Sequence, residues 1–285
     1  MKLAVASGKG GTGKTTIAVS LALAASRSGI PVFFYDCDVE APNAALFLHP
    51  ELDQAVDASI LVPEVKKDLC TLCGQCVEVC AYNALALVGD DVLVFHEMCH
   101  GCGSCTANCP ENAIMEVPHR IGVIESGFAG EIRFSHGRMD IGQAMATPII
   151  HKMKSGIPDS EEGLVLLDAP PGSACPVVET ARDMDHVLMV TEPTPFGFHD
   201  LRQAVKLVRG EMGVPVGVII NRDGIGDEQV EQYCNEQDIP IYFRIPFDRA
   251  IAEGYSDGKP LIDIKPGFKN EFLKMLERIA GQVDE

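Results

Sequence analysis

The chain has 285 residues, 46% of them hydrophobic, and a formal net charge of −18. That length accommodates one large α/β domain, or one such domain with a small insert, and the apolar content fills a real core. The acidic balance repels nucleic-acid phosphate and anionic lipid, which argues against non-specific DNA binding and against a polybasic membrane anchor.

No apolar run reaches the roughly 18 residues of a membrane span. The N-terminus, MKLAVASGKGG, lacks the charged, apolar and small-residue order of a secretory leader. The expectation is a cytoplasmic protein with no nucleic-acid partner and no stable membrane insertion. The eleven cysteines fit that setting, because eight of them crowd into residues 70–109 in two tight runs. In a reducing compartment such runs point to metal rather than to disulfides.

In chain order, residues 2–6 form a short apolar run that enters a glycine loop. Residues 14–28 then have helical composition, and 32–36 (VFFYD) form a second apolar run. Strand, loop, helix and strand in this order predict a βαβ unit. The rhythm breaks between about residues 60 and 118 and returns with apolar runs at 164–168, 186–191 and 216–220. Apolar-periodic stretches at 198–210 and 228–237 read as helices between them. The predicted fold is therefore α/β, a mainly parallel sheet flanked by helices over residues 1–59 and 119–285. A small α+β module over 60–118 is inserted into it.

The loop GKGGTGKTT, residues 8–16, matches G-x-x-x-x-G-K-[ST] through Gly8, Gly13, Lys14 and Thr15. Glycines let backbone N–H groups curl around phosphates, and the following helix presents its positive end to them. Gly8, Lys9, Gly10, Gly11, Thr12, Gly13, Lys14, Thr15 and Thr16 are thus candidate nucleotide-binding residues. Lys14 is expected at the β- and γ-phosphates and the Thr15 hydroxyl on Mg²⁺.

Lys9 gives the loop the form xKGGxGK[ST], which resembles the deviant Walker A motif of the MinD, ParA, Mrp and nitrogenase iron-protein group. The resemblance covers the chain on both sides of the insert. It implies that Lys9 reaches across a dimer, either an ATP-dependent homodimer or a heterodimer with a related ATPase. YDCDVEAPN lies where the group has its D-x-D switch, which implies Asp36 near Mg²⁺ and Asp38 orienting the attacking water. LVLLDAPPG is similar to the Walker B strand and second switch, with Asp168 holding a Mg²⁺-bound water and Pro170, Pro171 and Gly172 sensing the γ-phosphate. INRD and IPFD resemble the adenine frame, with Asn221 bonding the base and Pro246 and Phe247 lining it. The implied cofactors are ATP or ADP with Mg²⁺.

Cys70, Cys73, Cys76 and Cys80 form one C-x₂-C-x₂-C-x₃-C run; Cys99, Cys102, Cys105 and Cys109, followed by Pro110, form the other. This resembles the bacterial two-cluster ferredoxins, in which each fourth cysteine serves the other cluster. One [4Fe–4S] cluster would then take Cys70, Cys73, Cys76 and Cys109, and the second Cys99, Cys102, Cys105 and Cys80. Ala81 departs from the pattern, where proline is frequent. Structural zinc, which prefers two cysteine pairs with a long gap, fits poorly. His96 and His100 read as surface residues, and Cys37 and Cys234 as small buried ones.

Cys175 lies seven residues after Asp168, the spacing of a ligating cysteine in the nitrogenase iron protein. No second cysteine accompanies it in 119–167, so a packed or redox-sensitive thiol is the better reading. The apolar periodicity of 267–281 fits a last helix packed on the sheet.

Three functions follow. The first is ATP-gated electron transfer through two clusters to a redox partner protein. The second is cluster assembly or carriage of the Mrp type, although the C-terminal CxxC pair common in that branch is missing. The third is a non-redox switch like MinD or ParA, with structural clusters.

Overall fold

A computed structural model describes residues 1–157 and 162–283. The strands are β1 (Lys2–Ala6), β2 (Val32–Asp36), β3 (Glu51–Val65), β4 (Leu85–Val88), β5 (Asp91–Val94), β6 (Ile114–Ala129), β7 (Ile132–Met139), β8 (Leu164–Asp168), β9 (His186–Thr191), β10 (Val216–Asp223) and β11 (Ile241–Pro246). The helices are α1 (Lys14–Ser26), α2 (Ala45–Leu48), α3 (Gln75–Glu78), α4 (Ser104–Ala107), α5 (Thr147–Ser155), α6 (Cys175–Ala181), α7 (Pro195–Val205), α8 (Gln229–Glu236), α9 (Arg249–Ser256), α10 (Leu261–Ile264) and α11 (Phe268–Val283). A π-helical turn, Lys206–Glu211, prolongs α7.

Nine strands form one sheet in the order β11-β10-β9-β1-β8-β2-β7-β6-β3. The seven from β11 to β7 are parallel, while at one edge β6 runs antiparallel to both its neighbours, β7 and β3. The five core strands β1, β2, β8, β9 and β10 read as unbroken apolar runs because helices cover both faces. On one face α1, α10 and α11 bury Ile17, Leu21, Phe272, Met275 and Ile279 against Leu3, Phe34 and Leu166. On the other, α5, α6, α7 and α8 bury Ile149, Val177, Leu201 and Val230. The packed α11 bears out the reading of the C-terminal segment as the last helix of the fold.

Chain direction reverses around β1: α1 leads to β2 on one side, and α6 carries β8 across β1 to β9 on the other. In open α/β sheets, ligands bind at the carboxyl ends of the strands at such a switch point. The glycine loop leaves β1 there.

The edge differs from the sequence expectation. Residues 60 and 118 fall inside β3 and β6, which pair from Glu51↔Phe128 to Val65↔Ile114 with two register shifts, at Leu52/Gln54 and Ala58/Ser59. Only 122–129 of β6 pair with β7, so the β3–β6 ribbon overhangs the sheet by about 8 residues, roughly 25 Å. Because β7 is parallel to β2, with Asp36 opposite His136, the overhang projects from the same carboxyl end of the parallel strands as the glycine loop. Residues 66–113 sit at its tip with α3, α4 and the small β4–β5 hairpin. Alternating polar and apolar residues concealed this ribbon from a reading based on buried parallel strands.

Candidate functional site

The glycine loop turns directly into α1, whose first residue is Lys14. Gly11 and Gly13 have φ of 80° and 90°, which L side chains rarely adopt. At Gly13 a Cβ would also sit 2.4 Å from the Asn221 amide nitrogen. Asn221 Nδ2 donates to the Thr12 carbonyl at 2.7 Å, so β10 clamps the loop from the side. One Nδ2 hydrogen remains for a further acceptor.

Lys14 is buried, and its Nζ donates to Asp168 Oδ1 at 2.8 Å. Burial works to lower the lysine pKa, but the charge and hydrogen bond of Asp168 outweigh it and hold the pKa above the usual value. Asp168 Oδ2 is buried without a partner, and so is the Thr12 hydroxyl. An orphaned carboxylate oxygen and hydroxyl at the mouth of a glycine loop suit a hydrated cation and a phosphate.

Asp36 is wholly buried at the end of β2 and accepts from the amides of Asp38 (3.1 Å), Asn43 (3.0 Å) and Ala44 (3.0 Å). It organises the 37–44 loop in addition to facing the phosphate site. Burial, then the Asp168 charge, push its pKa up to about 7. Asp38 is half-buried on the same loop, and desolvation raises its pKa. The two aspartates, Lys14 and Asp168 thus form one electrostatic group.

Lys9 does not face this group. Its ammonium lies 3.3 Å from Glu192 Oε2, a buried carboxylate just past β9. Glu192 Oε1 also receives Arg222 Nη1 at 2.6 Å. Neither Glu192 nor Arg222 is singled out by the sequence; the signal is a lone carboxylate directly after the strand run HVLMVT, with four consecutive apolar residues. A cavity of about 410 Å³ runs beside the loop, lined by Gly11, Thr16, Asn221, Pro246, Phe247 and Tyr255 among others. The volume is in the range of nucleotide-sized ligand sites. Phe247 is exposed on its rim.

At the ribbon tip the eight cysteines fall into two sets. One cavity is lined by Cys70, Cys73, Cys76 and Cys109, a second by Cys80, Cys99, Cys102 and Cys105. Each run's fourth cysteine thus lies with the first three of the other run. The backbone repeats as well: Leu72 and Gly101, Gly74 and Gly103, and Asn83 and Asn112 all have positive φ. Holding a leucine there costs about 1 kcal/mol. Corresponding sulfurs accept from corresponding amides, Ala84 N to Cys80 Sγ at 3.3 Å and Ala113 N to Cys109 Sγ at 3.2 Å. Among the described residues no three His, Cys, Asp or Glu side chains converge as they would on a single metal ion.

Cys37 and Cys234 are buried, and burial raises the thiol pKa of each, for Cys234 to about 11. Cys175 is exposed at the start of α6, so it is not a packed residue. His100 is half-buried and stacks on Tyr82 at 3.5 Å.

Residues 3–261 match the family model of the CobQ/CobB/MinD/ParA nucleotide binding domain. The chain belongs to this family. With its deviant Walker A loop it is a P-loop ATPase. It is 30% identical over 281 residues to an uncharacterised protein of Methanocaldococcus jannaschii, covering 98% of this chain and 96% of that one. It is 23% identical to an iron–sulfur cluster carrier protein of the same organism, covering 99% of this chain and 85% of the relative. The fold is similar to that of the septum site-determining protein MinD of Pyrococcus horikoshii complexed with Mg-ADP. That match has a TM-score of 0.60 and 19% identity, with 98% and 95% of the two chains covered. Among the described residues, no helix is long and apolar enough to cross a membrane.

Proposed function

We propose that this ATPase handles iron–sulfur clusters, holding two [4Fe–4S] groups at the ribbon tip under the control of its nucleotide state. The observation that carries this reading is the division of eight cysteines into two four-thiol cavities with a repeated backbone. The cysteine segment supplies the electron-rich ligands that soft iron requires. Desolvation raises the pKa of Cys76 and Cys105, which keeps these thiols protonated until a cation takes the proton's place. One cluster takes Cys70, Cys73, Cys76 and Cys109, the other Cys99, Cys102, Cys105 and Cys80.

In the nucleotide site, bound MgATP supplies the phosphoryl group and a divalent charge. Lys14 exchanges Asp168 for the β- and γ-phosphates. Asp168, so released, would with the Thr15 hydroxyl and Asp36 hold the hydrated divalent cation, whose charge would stabilise the transferring phosphoryl group. Asp38 orients the attacking water. Lys9 leaves Glu192 and crosses to the nucleotide of a second ATPase subunit, the same chain or a related one. Pro170, Pro171 and Gly172 respond to the γ-phosphate. Asn221, Pro246 and Phe247 frame the base. Charge stabilisation and positioning do most of the chemistry.

A chain of backbone hydrogen bonds joins the two sites. Met139 N donates to Val39 O at 2.8 Å, so the loop organised by Asp36 is bonded to β7. β7 pairs with β6, and β6 runs to the cysteines. A shift of 37–44 on nucleotide binding is thereby transmitted to the ribbon.

Cluster carriage is the form of this function that the curated relatives favour, since several are named iron–sulfur cluster carrier proteins. A second reading, electron transfer to a redox partner, rests on the four thiols available to each cavity, which favour retention of a cluster over release. The deciding experiment loads the protein with iron and sulfide, then adds an apo-ferredoxin acceptor with and without MgATP. ATP-dependent transfer supports carriage. Retained clusters whose potential shifts on nucleotide binding support electron transfer, at about 59 mV per tenfold change in affinity. Retention with no shift would leave an ATP switch with structural clusters.

A further inference from the structure

The helix following β9 carries a groove that neither site uses. His199, Arg202, Lys206 and Arg209 recur at steps of three and four residues along α7 and its π-helical extension, forming one stripe. With Gln203 and Tyr233 of α8 they line an open cavity of about 750 Å³. In a chain of net charge −18 this is a local reversal of sign.

The stripe is held in place without being neutralised. The Arg202 guanidinium lies over the Phe198 ring, 5.6 Å from its centroid. Arg209 Nη1 donates to the Gln237 carbonyl at 2.6 Å, and the Gln203 amide meets His199 Nε2 at 2.7 Å. Most of the chain's other cations pair with carboxylates. Among the described residues Arg202, Lys206 and Arg209 do not. The neighbouring Asp200 lies on the side of α7 packed against the glycine loop, where a Cβ on Gly8 would fall 2.6 Å from its Cβ. Two of the three cations sit on a π-helical turn, a local irregularity that recurs at functional positions.

We propose that this groove docks an acidic segment of a partner protein. The lining joins the cations Arg202, Lys206 and Arg209 to the apolar side-chain surface between them, which suits an acidic amphipathic segment better than a small molecule. A long polyanion such as duplex DNA would meet the repulsive field of the whole molecule. A short acidic helix meets chiefly the local stripe, within a Debye length.

The site is placed to matter. The first turns of α7 press on the glycine loop at Gly8, where the Asp200 carbonyl leaves no room for a Cβ. Thr194 caps the helix by accepting from Gly197 N at 3.1 Å, two residues after the Glu192 that holds Lys9. A partner that moves α7 therefore moves the walls of the phosphate site.

The test titrates a fluorescent helical peptide of alternating Glu and Ala blocks against the full chain at low salt, reading anisotropy. The wild type should bind, and the combined variant R202Q/K206Q/R209Q should bind at least about tenfold more weakly, as should the wild type at high salt. These side chains are exposed, so the variant should melt like the wild type and keep its ATP affinity. The peptide should alter ATP turnover of the wild type alone. Equal binding by the variant, no binding by the wild type, or tighter capture of a duplex DNA probe through the same three residues overturns the proposal. Binding that leaves turnover unchanged overturns its regulatory part. None of these outcomes depends on whether the cysteines hold iron.

Discussion

The sheet around the glycine loop and the tip of the β3–β6 ribbon are stabilised in different ways. Around the glycine loop the polar machinery is neutralised from within: Lys14 by Asp168, Lys9 and Arg222 by Glu192, Asp36 by three backbone amides. Two extensive apolar layers on either face of the sheet hold it. At the ribbon tip the buried core is Cys76, Leu85, Val92, Cys105 and Ile114, with Cys70, Cys80 and Cys109 against it. Thiols make up much of that core, and so few apolar side chains cannot order a segment of this length unaided. The nucleotide half thus has a core that stands without a ligand, while the proposed clusters would supply the cysteine segment with the order that its small core lacks.

Removal of iron should break this contrast most visibly. In the loaded protein, amides of residues 66–113 should exchange slowly; after chelation they should exchange at least about 10³-fold faster, because ligand binding energy is folding energy in such segments. β1, β8 and β9 should keep their protection. Equal protection of both regions after chelation would show that the small core suffices and would remove the main support for clusters at the tip.

Next in size is Lys14→Ala. Turnover should fall by about 10³-fold, since a buried cation aimed at the transferring phosphoryl group is lost. The same change strands Asp168 as an unpaired buried carboxylate, at a cost of roughly 3 kcal/mol in the melting of the nucleotide half. Iron content should stay at that of the wild type. A parallel loss of iron would mean that the two regions fold as one unit.

How much of this was legible in the sequence follows from the same contrast. Motifs whose chemistry fixes the spacing, Gly8 to Thr15 and the two cysteine runs, stand out in the sequence. Buried parallel strands announce themselves by composition, so β1, β2, β8, β9 and β10 were readable. The ribbon was not, because β3 and β6 are half-exposed and alternate in polarity. Nor was the Lys9–Glu192–Arg222 group, whose members are separated by 183 and 30 positions along the chain and meet only through the strand order. The Asp36 contacts to Asn43 and Ala44 were equally hidden, since a loop's hydrogen bonds leave no periodic trace.

Acid should attack the nucleotide half. His186 is buried at the start of β9 against Tyr242, its Nε2 has no partner, and burial lowers its pKa to about 4. The unfolded chain takes up this proton near pH 6.5, the folded chain only near pH 4. The contribution is therefore complete above pH 6.5 and is lost as pH falls through the folded value, amounting to roughly 3 kcal/mol over that window. Thermal melts at pH 7 and pH 4 should show it, and His186→Gln should flatten the profile. An unchanged slope in the variant would assign the acid sensitivity to other groups.

The smallest effect probes the proposed exchange of Lys9 between subunits. In the free chain Lys9 is one-third exposed and held by a carboxylate that it shares with Arg222. Glu192→Gln removes that hold without removing the lysine. If Glu192 only restrains Lys9, MgATP-dependent dimerisation should tighten by about threefold, in keeping with the modest worth of a partly exposed ion pair. Lys9→Gln should abolish nucleotide-dependent dimerisation, and the double variant should behave like Lys9→Gln, because the carboxylate then has nothing to release. Sedimentation equilibrium with and without MgATP measures all three. Weaker dimerisation in Glu192→Gln would reverse the assignment, making Glu192 the residue that aims Lys9 toward the partner rather than the one that withholds it.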